Sequence, residues 1–187
     1  MNTLFPEERL LPEGYLYVPD FISETEEAEL LALISTLQLQ KFVFQGFEAK
    51  RNYASFGMDY NFDHNTIRQG QPIPDGFVPL IEKVRQYLHL EKEIAELLVL
   101  EYPVGAVINW HRDAPPFDII VGISLLSDCL FKLRPQEKSK RTRKAIVTLP
   151  IKRRSLYLMQ GAARSDWQHS TAPATAHRYS VTLRTLS

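Results

Sequence analysis

The density of short strand-like segments after Glu96 constrains the fold of this chain more than any other feature. Six segments are short, rich in β-branched or aromatic residues, and separated by turn residues or charge runs: LLVLEY, VGISLL, CLFKL, AIVTLP, SLYLMQ and RYSVTLRTL. Strands this dense at the C-terminal end, after a helical N-terminal part, indicate an α+β protein. We therefore expect an antiparallel β-sandwich or barrel with the N-terminal helices packed on one side.

Two segments before residue 96 predict helices. SETEEAELLALISTL begins with Ser23 as N-cap and Glu26 three residues later, which is the capping-box pattern. GFVPLIEKVRQYLHL has apolar residues at helical spacing, and Pro79 suits its first turn. Between the helices, the aromatic-rich segment FEAKRNYASFGMDYNF favours a hairpin. At 187 residues and without repeats, the chain is expected to form one domain, with helices and hairpin in 1–95 and the sandwich in 96–187.

Several classes of protein are excluded by composition. No apolar run approaches the ~20 residues that a membrane helix needs, and MNTLFPEERLLPEG lacks the basic-then-apolar order of a signal peptide. Cys129 is the only cysteine, which excludes an internal disulfide and a two-cysteine zinc site. A single cysteine also suits a reducing compartment. We expect a cytoplasmic monomer without a membrane segment.

The net charge of zero conceals an uneven distribution. Of the 22 basic and 22 acidic residues, the stretch 132–154 holds ten basic residues and only one acid, Glu137. A local positive surface on an otherwise acidic protein predicts an anionic partner. A solvated, flexible hairpin explains the charge run equally well.

NWHRD, residues 109–113, places a histidine and an aspartate two positions apart, after strand-like GAVIN and before turn-forming APP. In a strand, residues i and i+2 share a face, so His111 and Asp113 would lie side by side while the intervening arginine points away. With one distant histidine they would form the 2-His-1-carboxylate site of non-haem Fe(II) enzymes. His169 in DWQHS is the best third ligand and His177 the second choice. Alone, the three-residue pattern is better explained by an ordinary hydrogen-bonded pair.

RYSVTLR supplies a second pattern, because alternation places Arg178, Ser180, Thr182 and Arg184 on one face. An amphipathic strand with its polar face in water would look the same. In a closing sandwich strand the inner face is covered, and buried arginines there would need anions. Arg178 could clamp the distal carboxylate of a metal-bound dicarboxylate, with a hydrogen bond from Ser180. Arg184, roughly 20 Å further along, could pair with Asp113 or with a proximal carboxylate if the sheet is strongly twisted.

Together these segments resemble the Fe(II)/2-oxoglutarate dioxygenases, and more narrowly the AlkB family. EYPVGAVINWHRD, VGISL, SLYLMQGAARSDWQHS and RYSVTLR match in order and spacing over about the last 90 residues. AKRNYASFGMDY is similar to the family's substrate-lid segment. The resemblance implies a double-stranded β-helix (jelly-roll) core with iron at its mouth. The implied Fe(II) ligands are His111, Asp113 and His169, and the implied 2-oxoglutarate contacts are Tyr102, Arg178, Ser180 and Arg184.

Two departures from the family pattern are visible. Ser180 stands where the family often has asparagine, and Arg-x-Ser is common in the wider superfamily. Ala114-Pro115-Pro116 follows Asp113, where members that repair nucleic acids can carry another acid. The second departure bears on recognition of the base and not on the oxidation chemistry.

The resemblance implies an enzyme that uses O2 and couples decarboxylation of 2-oxoglutarate to succinate and CO2 with hydroxylation of a C–H bond. On an N-methyl group the product would break down to formaldehyde and the free amine. We expect the substrate to be alkylated DNA or RNA, as in AlkB-like repair or RNA demethylation. The alternatives are the same chemistry on a protein side chain or small molecule, and a non-enzymatic jelly-roll binding module.

Residues that would contact such a substrate are also suggested. A flipped base would stack on an aromatic ring, for which Tyr53, Phe56 and Trp167 are candidates; packing in the core is the other explanation for each. Arg51 and the basic stretch 132–154 could hold phosphates. Arg164 could meet substrate or cosubstrate, or form a structural ion pair.

Overall fold

The computed structural model of the chain describes residues 11–44, 47–61 and 66–187. Its strands are β1 (Tyr15–Val18), β2 (Gln40–Phe44), β3 (Phe47–Asn61), β4 (Thr66–Gln69), β5 (Glu96–Tyr102), β6 (Phe117–Leu125), β7 (Cys129–Pro135), β8 (Val147–Ile151), β9 (Leu156–Met159), β10 (Trp167–Thr171) and β11 (Arg178–Leu186). The helices are α1 (Glu24–Ser35), α2 (Val78–Leu88) and α3 (Gly161–Ser165). Short 3-10 turns occur at Asp75–Phe77, Lys138–Lys140 and Arg143–Ala145.

The strands form two antiparallel sheets. The larger sheet has the order β1-β9-β6-β11-β5-β3-β2, and β4 pairs with the end of β3. The smaller sheet has the order β10-β7-β8. Side chains of both sheets meet in one buried cluster, in which Phe131 and Leu133 of β7 join Ile120 of β6 and Tyr157 of β9. This sandwich is the predicted α+β jelly-roll arrangement.

Both predicted helices are present and pack on one side of the larger sheet. Ser23 caps α1: its Oγ accepts from the Glu26 amide at 3.1 Å, and Glu26 accepts from the Ser23 amide at 2.7 Å. Pro79 lies in the first turn of α2. Leu30 and Ile34 of α1 and Leu80 and Val84 of α2 form one buried core with the odd-numbered side of β11. The even-numbered side of β11 is therefore turned towards the smaller sheet.

The predicted hairpin over residues 47–62 is wrong in its form. Residues 47–61 are one long strand, β3, which pairs with β2 on one side and with β4 at its far end. Residues 52–57 of β3 also pair with β5, so this segment extends the larger sheet. The aromatic residues of the segment are typical of a strand, but a turn in the middle of residues 47–61 does not occur.

The predicted strand GAVIN is also wrong, because residues 105–109 are irregular. The segment forms single backbone hydrogen bonds, such as that from the Thr171 amide to the Ile108 carbonyl at 3.0 Å. A two-way β-bridge forms only at His111, whose backbone exchanges two hydrogen bonds with His169, at 3.0 and 2.9 Å. Strand β10, which carries His169, was not predicted, since WQHST lacks the apolar alternation of the other strands. No helix in the described ranges is long and apolar enough to cross a membrane.

Candidate metal centre

His111, Asp113 and His169 come together between the two sheets. One potential ligand atom from each lies within 4.8 Å of the others. The two histidines are held side by side by the backbone bridge between them, and their ring centroids are 4.1 Å apart. Phe131 stacks on the imidazole of His169 at 5.4 Å. The predicted ligand set is thus assembled, whereas His177 lies elsewhere, hydrogen-bonded to Glu101 at 2.9 Å.

The donor atoms of this cluster fit a divalent metal ion. Asp113 Oδ2 is buried without a hydrogen-bond partner and lies 3.6 Å from His169 Nε2. The Nδ1 atom of His111 is 2.8 Å from the carbonyl of Asn109, so Nδ1–H donates there and Nε2 is the ring nitrogen available to a metal ion. Burial, followed by the neighbouring His111, lowers the pKa of His169 to about 3, which keeps this imidazole neutral. Two imidazoles and one carboxylate are the ligands that Fe(II) oxygenases use.

Arg184, which lies on β11, balances the charge of Asp113. Its Nη2 donates to Asp113 Oδ1, and its Nη1 donates to Glu96 Oε2 at 2.5 Å. Burial, the largest single influence, would raise the pKa of Asp113, but the surrounding basic groups, Arg184 foremost among them, together outweigh it and hold that pKa well below its usual range. The predicted pairing of Arg184 with Asp113 is therefore present. The role of Glu96 was missed, because it follows only from the register that places it opposite Arg184.

Arg164 braces the turn that carries Asp113. From α3, its guanidinium donates to the carbonyls of Ala114 at 2.7 Å and Phe117 at 2.8 Å, and to that of Asp113 at 3.2 Å. Backbone carbonyls therefore take the place of the acid in the predicted ion pair. These bonds fix residues 113–116, which lack a strand partner before β6 begins at Phe117.

Arg178 forms the opposite end of the site. It is 4% exposed, donates from Nε to Ser124 Oγ at 3.1 Å, and lies over the ring of Tyr102 at 4.7 Å. The hydroxyl groups of Tyr102 and Ser180 are 3.4 Å apart. In the described part of the chain no carboxylate pairs with Arg178, although a buried cation requires an anion. The chemistry of this pocket therefore fits the distal carboxylate of a dicarboxylic acid.

A cavity of about 50 Å³ joins the metal ligands to Arg178. The side chains of Thr182 and Tyr157 also line it. Tyr157, which was not predicted, lies across Gly122 of β6: a Cβ there would be 2.2 Å from the Tyr157 Cζ atom. Gly122 is thus needed for the phenol to reach the cavity wall.

The three predicted substrate residues on β3 lie on opposite sides of the larger sheet. Ser55 donates to Glu96 at 3.3 Å, which places the odd-numbered side of β3, including Arg51 and Tyr53, towards the site. Phe56 has the opposite orientation and packs on the helix-facing core, so its predicted stacking role is not supported. Trp167, the further aromatic candidate, packs on the core between the sheets.

Comparison with known proteins agrees with this geometry. The family model described as "2OG-Fe(II) oxygenase superfamily" matches residues 14–184. The chain belongs to this superfamily. It has the metal-ligand set of a 2-oxoglutarate-dependent dioxygenase domain, and the predicted Fe(II) and 2-oxoglutarate are the cofactor and cosubstrate of this superfamily.

The chain is also similar to AlkB-homologue proteins. Over 170 residues it is 28% identical to a mouse "tRNA (carboxymethyluridine(34)-5-O)-methyltransferase ALKBH8". The matched region is 87% of this chain and 25% of the mouse protein. Over 179 residues it is 26% identical to an Arabidopsis thaliana "Alkylated DNA repair protein ALKBH8 homolog", and the matched region is 83% of this chain and 50% of that protein. The chain thus spans between a quarter and half of the length of these relatives. The predicted AlkB-family resemblance is confirmed at this level.

Solved structures confirm the fold. OsALKBH1 has a TM-score of 0.68 at 13% identity and covers 94% of this chain and 100% of its own. A Trichoplax adhaerens prolyl hydroxylase, in complex with a hypoxia inducible factor peptide, has a TM-score of 0.65 at 16% identity and covers 92% and 83%. These 2-oxoglutarate oxygenases share the jelly-roll sandwich with this chain.

Proposed function

We propose that the protein oxidatively demethylates N-alkylated bases of nucleic acid. One observation carries the oxygenase chemistry. Three side chains that can bind a metal ion line one end of a cavity, and Arg178, buried without an acidic partner among the described residues, lines the other end. The relatives whose names refer to tRNA and to alkylated DNA support nucleic acid as the substrate class. The proposal includes the expected cytoplasmic location and monomeric state, and repair of DNA or demethylation of RNA as its role.

His111, Asp113 and His169 would hold Fe(II), which, with 2-oxoglutarate and O2, supplies the hydroxylation of an alkyl C–H bond. Arg178 orients the cosubstrate by binding its distal carboxylate, and the Tyr102 and Ser180 hydroxyls provide further hydrogen bonds. Arg184 and Arg164 keep Asp113 charged and in place. Hydroxylation of an N-methyl group gives a hemiaminal, which releases formaldehyde and the free amine.

Succinate and formaldehyde measurements test the proposal. With Fe(II), 2-oxoglutarate and O2, we expect succinate, and formaldehyde from N-methylated oligonucleotides. His111→Ala should abolish both. His89→Asn is the matched control, because His89 ends α2 in a left-handed conformation that asparagine tolerates, away from the metal centre.

Other substrates provide the contradicting outcome. If succinate formation is stimulated by N-methylated or proline-containing peptides and not by any alkylated DNA or RNA, the nucleic-acid assignment is wrong while the oxygenase chemistry stands. Absence of succinate under all conditions would refute the enzyme itself. Gel filtration at several concentrations would test the monomeric state, and cell fractionation the location.

A further inference from the structure

The basic stretch 132–154 has two parts, which differ in whether their cations pair with acidic residues. At its C-terminal end, Lys152 pairs with Asp128 at 2.8 Å, Arg153 with Glu27, and Arg154 with Glu24 at 2.6 Å. These cations are neutralised, and the two arginines attach the loop before β9 to α1. Within the described residues, the earlier cations of the stretch have no acidic partner, apart from Lys140. They are Lys132, Arg134, Lys138, Arg141, Arg143 and Lys144, here called the β7 group.

Two further cations without an acidic partner lie on β3, and each cation group includes an arginine packed on an aromatic ring. Lys50 and Arg51 of β3, here called the β3 group, also have no acidic partner among the described residues. The guanidinium of Arg51 lies 3.9 Å from the ring centroid of Phe42. In the β7 group, Arg134 lies 4.3 Å from the ring centroid of Trp110. The same combination of positive charge and aromatic surface thus occurs twice.

The loop of residues 103–110 runs between the two groups. Lys50 Nζ would be 3.5 Å from a Cβ placed on Gly105, and Arg51 Nη1 donates to the carbonyl of Val107 at 3.3 Å. At its other end the loop reaches Trp110, directly before the metal-ligating His111. Ile108, in the middle, lines the cavity. The loop is therefore the rim of the active site, with the β3 group against Gly105 and Val107 and Arg134 of the β7 group against Trp110.

We propose that a single-stranded segment of the nucleic-acid substrate crosses this rim, held by the β3 group on one side and the β7 group on the other. This inference rests on the proposed function and adds the strandedness of the substrate and the route of its backbone. Lysine and arginine side chains without acidic partners bind phosphates, and the phosphates release counterions.

The arginine–aromatic pairs favour a single strand over a duplex. Unstacked bases next to the target can stack on aromatic rings and guanidinium planes, which is how proteins bind single strands without reading their sequence. A duplex keeps its bases stacked and would offer only phosphates to these pairs. A single strand also delivers its base to the cavity without the cost of unpairing.

The test measures binding of a fluorescent 12-nucleotide single strand to the metal-free protein as a function of salt. The β7 variant Lys132→Ser/Arg143→Ser/Lys144→Ser removes three cations without acidic partners. Each lost phosphate contact lowers the slope of log K against log[salt] by about 0.7, so the slope should fall by about 2 and the affinity by about 100-fold near 0.1 M salt. Lys50→Ser should lower the slope by about 0.7.

The control variant Lys83→Ser/Lys92→Ser/Lys152→Ser changes the net charge equally, but these lysines are paired with acids away from the rim. Its binding should stay within about twofold of the unsubstituted protein. Equal losses in the β7 and control variants would overturn the proposal, as would tighter binding of a duplex of the same length. Tight single-strand binding without formaldehyde release from any alkylated strand would refute the proposed function and leave the binding surface intact.

Discussion

Arg184→Met tests whether Arg184 compensates two buried carboxylates at once. The side chains of Glu96 and Asp113 are 5% and 4% exposed, and Arg184 pairs with both. Removing one partner of a buried ion pair costs about 3–5 kcal/mol, because the other charge stays buried and uncompensated. In a chain of this size about 1 kcal/mol shifts Tm by about 2–4 °C, so we expect the metal-free variant to melt roughly 6–20 °C lower.

A second substitution separates charge compensation from loss of packing. Glu96→Gln keeps the shape of the side chain and an oxygen that can accept from Ser55, but removes its charge. The double variant Arg184→Met/Glu96→Gln should therefore regain about 1–2 kcal/mol relative to Arg184→Met alone, since one uncompensated charge is gone. Urea unfolding in the presence of EDTA measures all four proteins of this cycle.

Two results would contradict the reasoning. Arg184→Met could unfold within about 1 kcal/mol of the unsubstituted protein, which would mean that the two carboxylates are not dependent on this cation. Alternatively, the two single losses could simply add in the double variant. Additivity would show that Glu96 and Arg184 contribute independently, in spite of their contact.

Three further predictions use other parts of the site. Gly122→Ala should destabilise the protein by about 1–3 kcal/mol in urea unfolding, because the Tyr157 ring must move; Gly122→Ala/Tyr157→Leu should recover most of the loss, and no recovery would argue against this clash. The pKa of His169 is lowered to about 3 in the folded protein, so the unfolded chain binds its proton first. The metal-free protein should therefore lose stability as pH falls from about 6.5 towards 3, and His169→Gln should flatten this dependence; an unchanged slope would contradict the shift. Arg178→Gln should raise the Kd for 2-oxoglutarate, measured by equilibrium titration, about 30- to 1000-fold, through loss of a buried charged pair; a change below about threefold would place the cosubstrate elsewhere.

The metal ligands could be predicted from sequence because their geometry is partly local. His111 and Asp113 are two positions apart, and extended backbone places such residues on one side even where, as here, no strand precedes them. The alternation of RYSVTLR likewise gave the cavity-facing side of β11 correctly. His169 lies on a strand without apolar periodicity, so the family resemblance was needed to assign it.

Features that depend on long-range pairing could not be predicted. Glu96 became part of the site through the β5–β11 register, and nothing in its local sequence indicates burial against an arginine. Phe56 and Tyr53 are three residues apart in one aromatic-rich segment, and only the pairing of β3 with β5 shows which of them faces the site. In the same way, the acids that neutralise Arg153 and Arg154 lie on α1, more than a hundred residues earlier.

The bracing of the Asp113 turn has a consequence for how the enzyme handles iron. The backbone bridge between the histidines and the three carbonyl bonds from Arg164 are contacts within the protein, so they do not require the ion. Chelation should then leave a folded apoprotein that takes up iron again without refolding, unlike small metallo-domains that unfold on chelation. Iron supply would set the active fraction of the enzyme while its total amount stays constant.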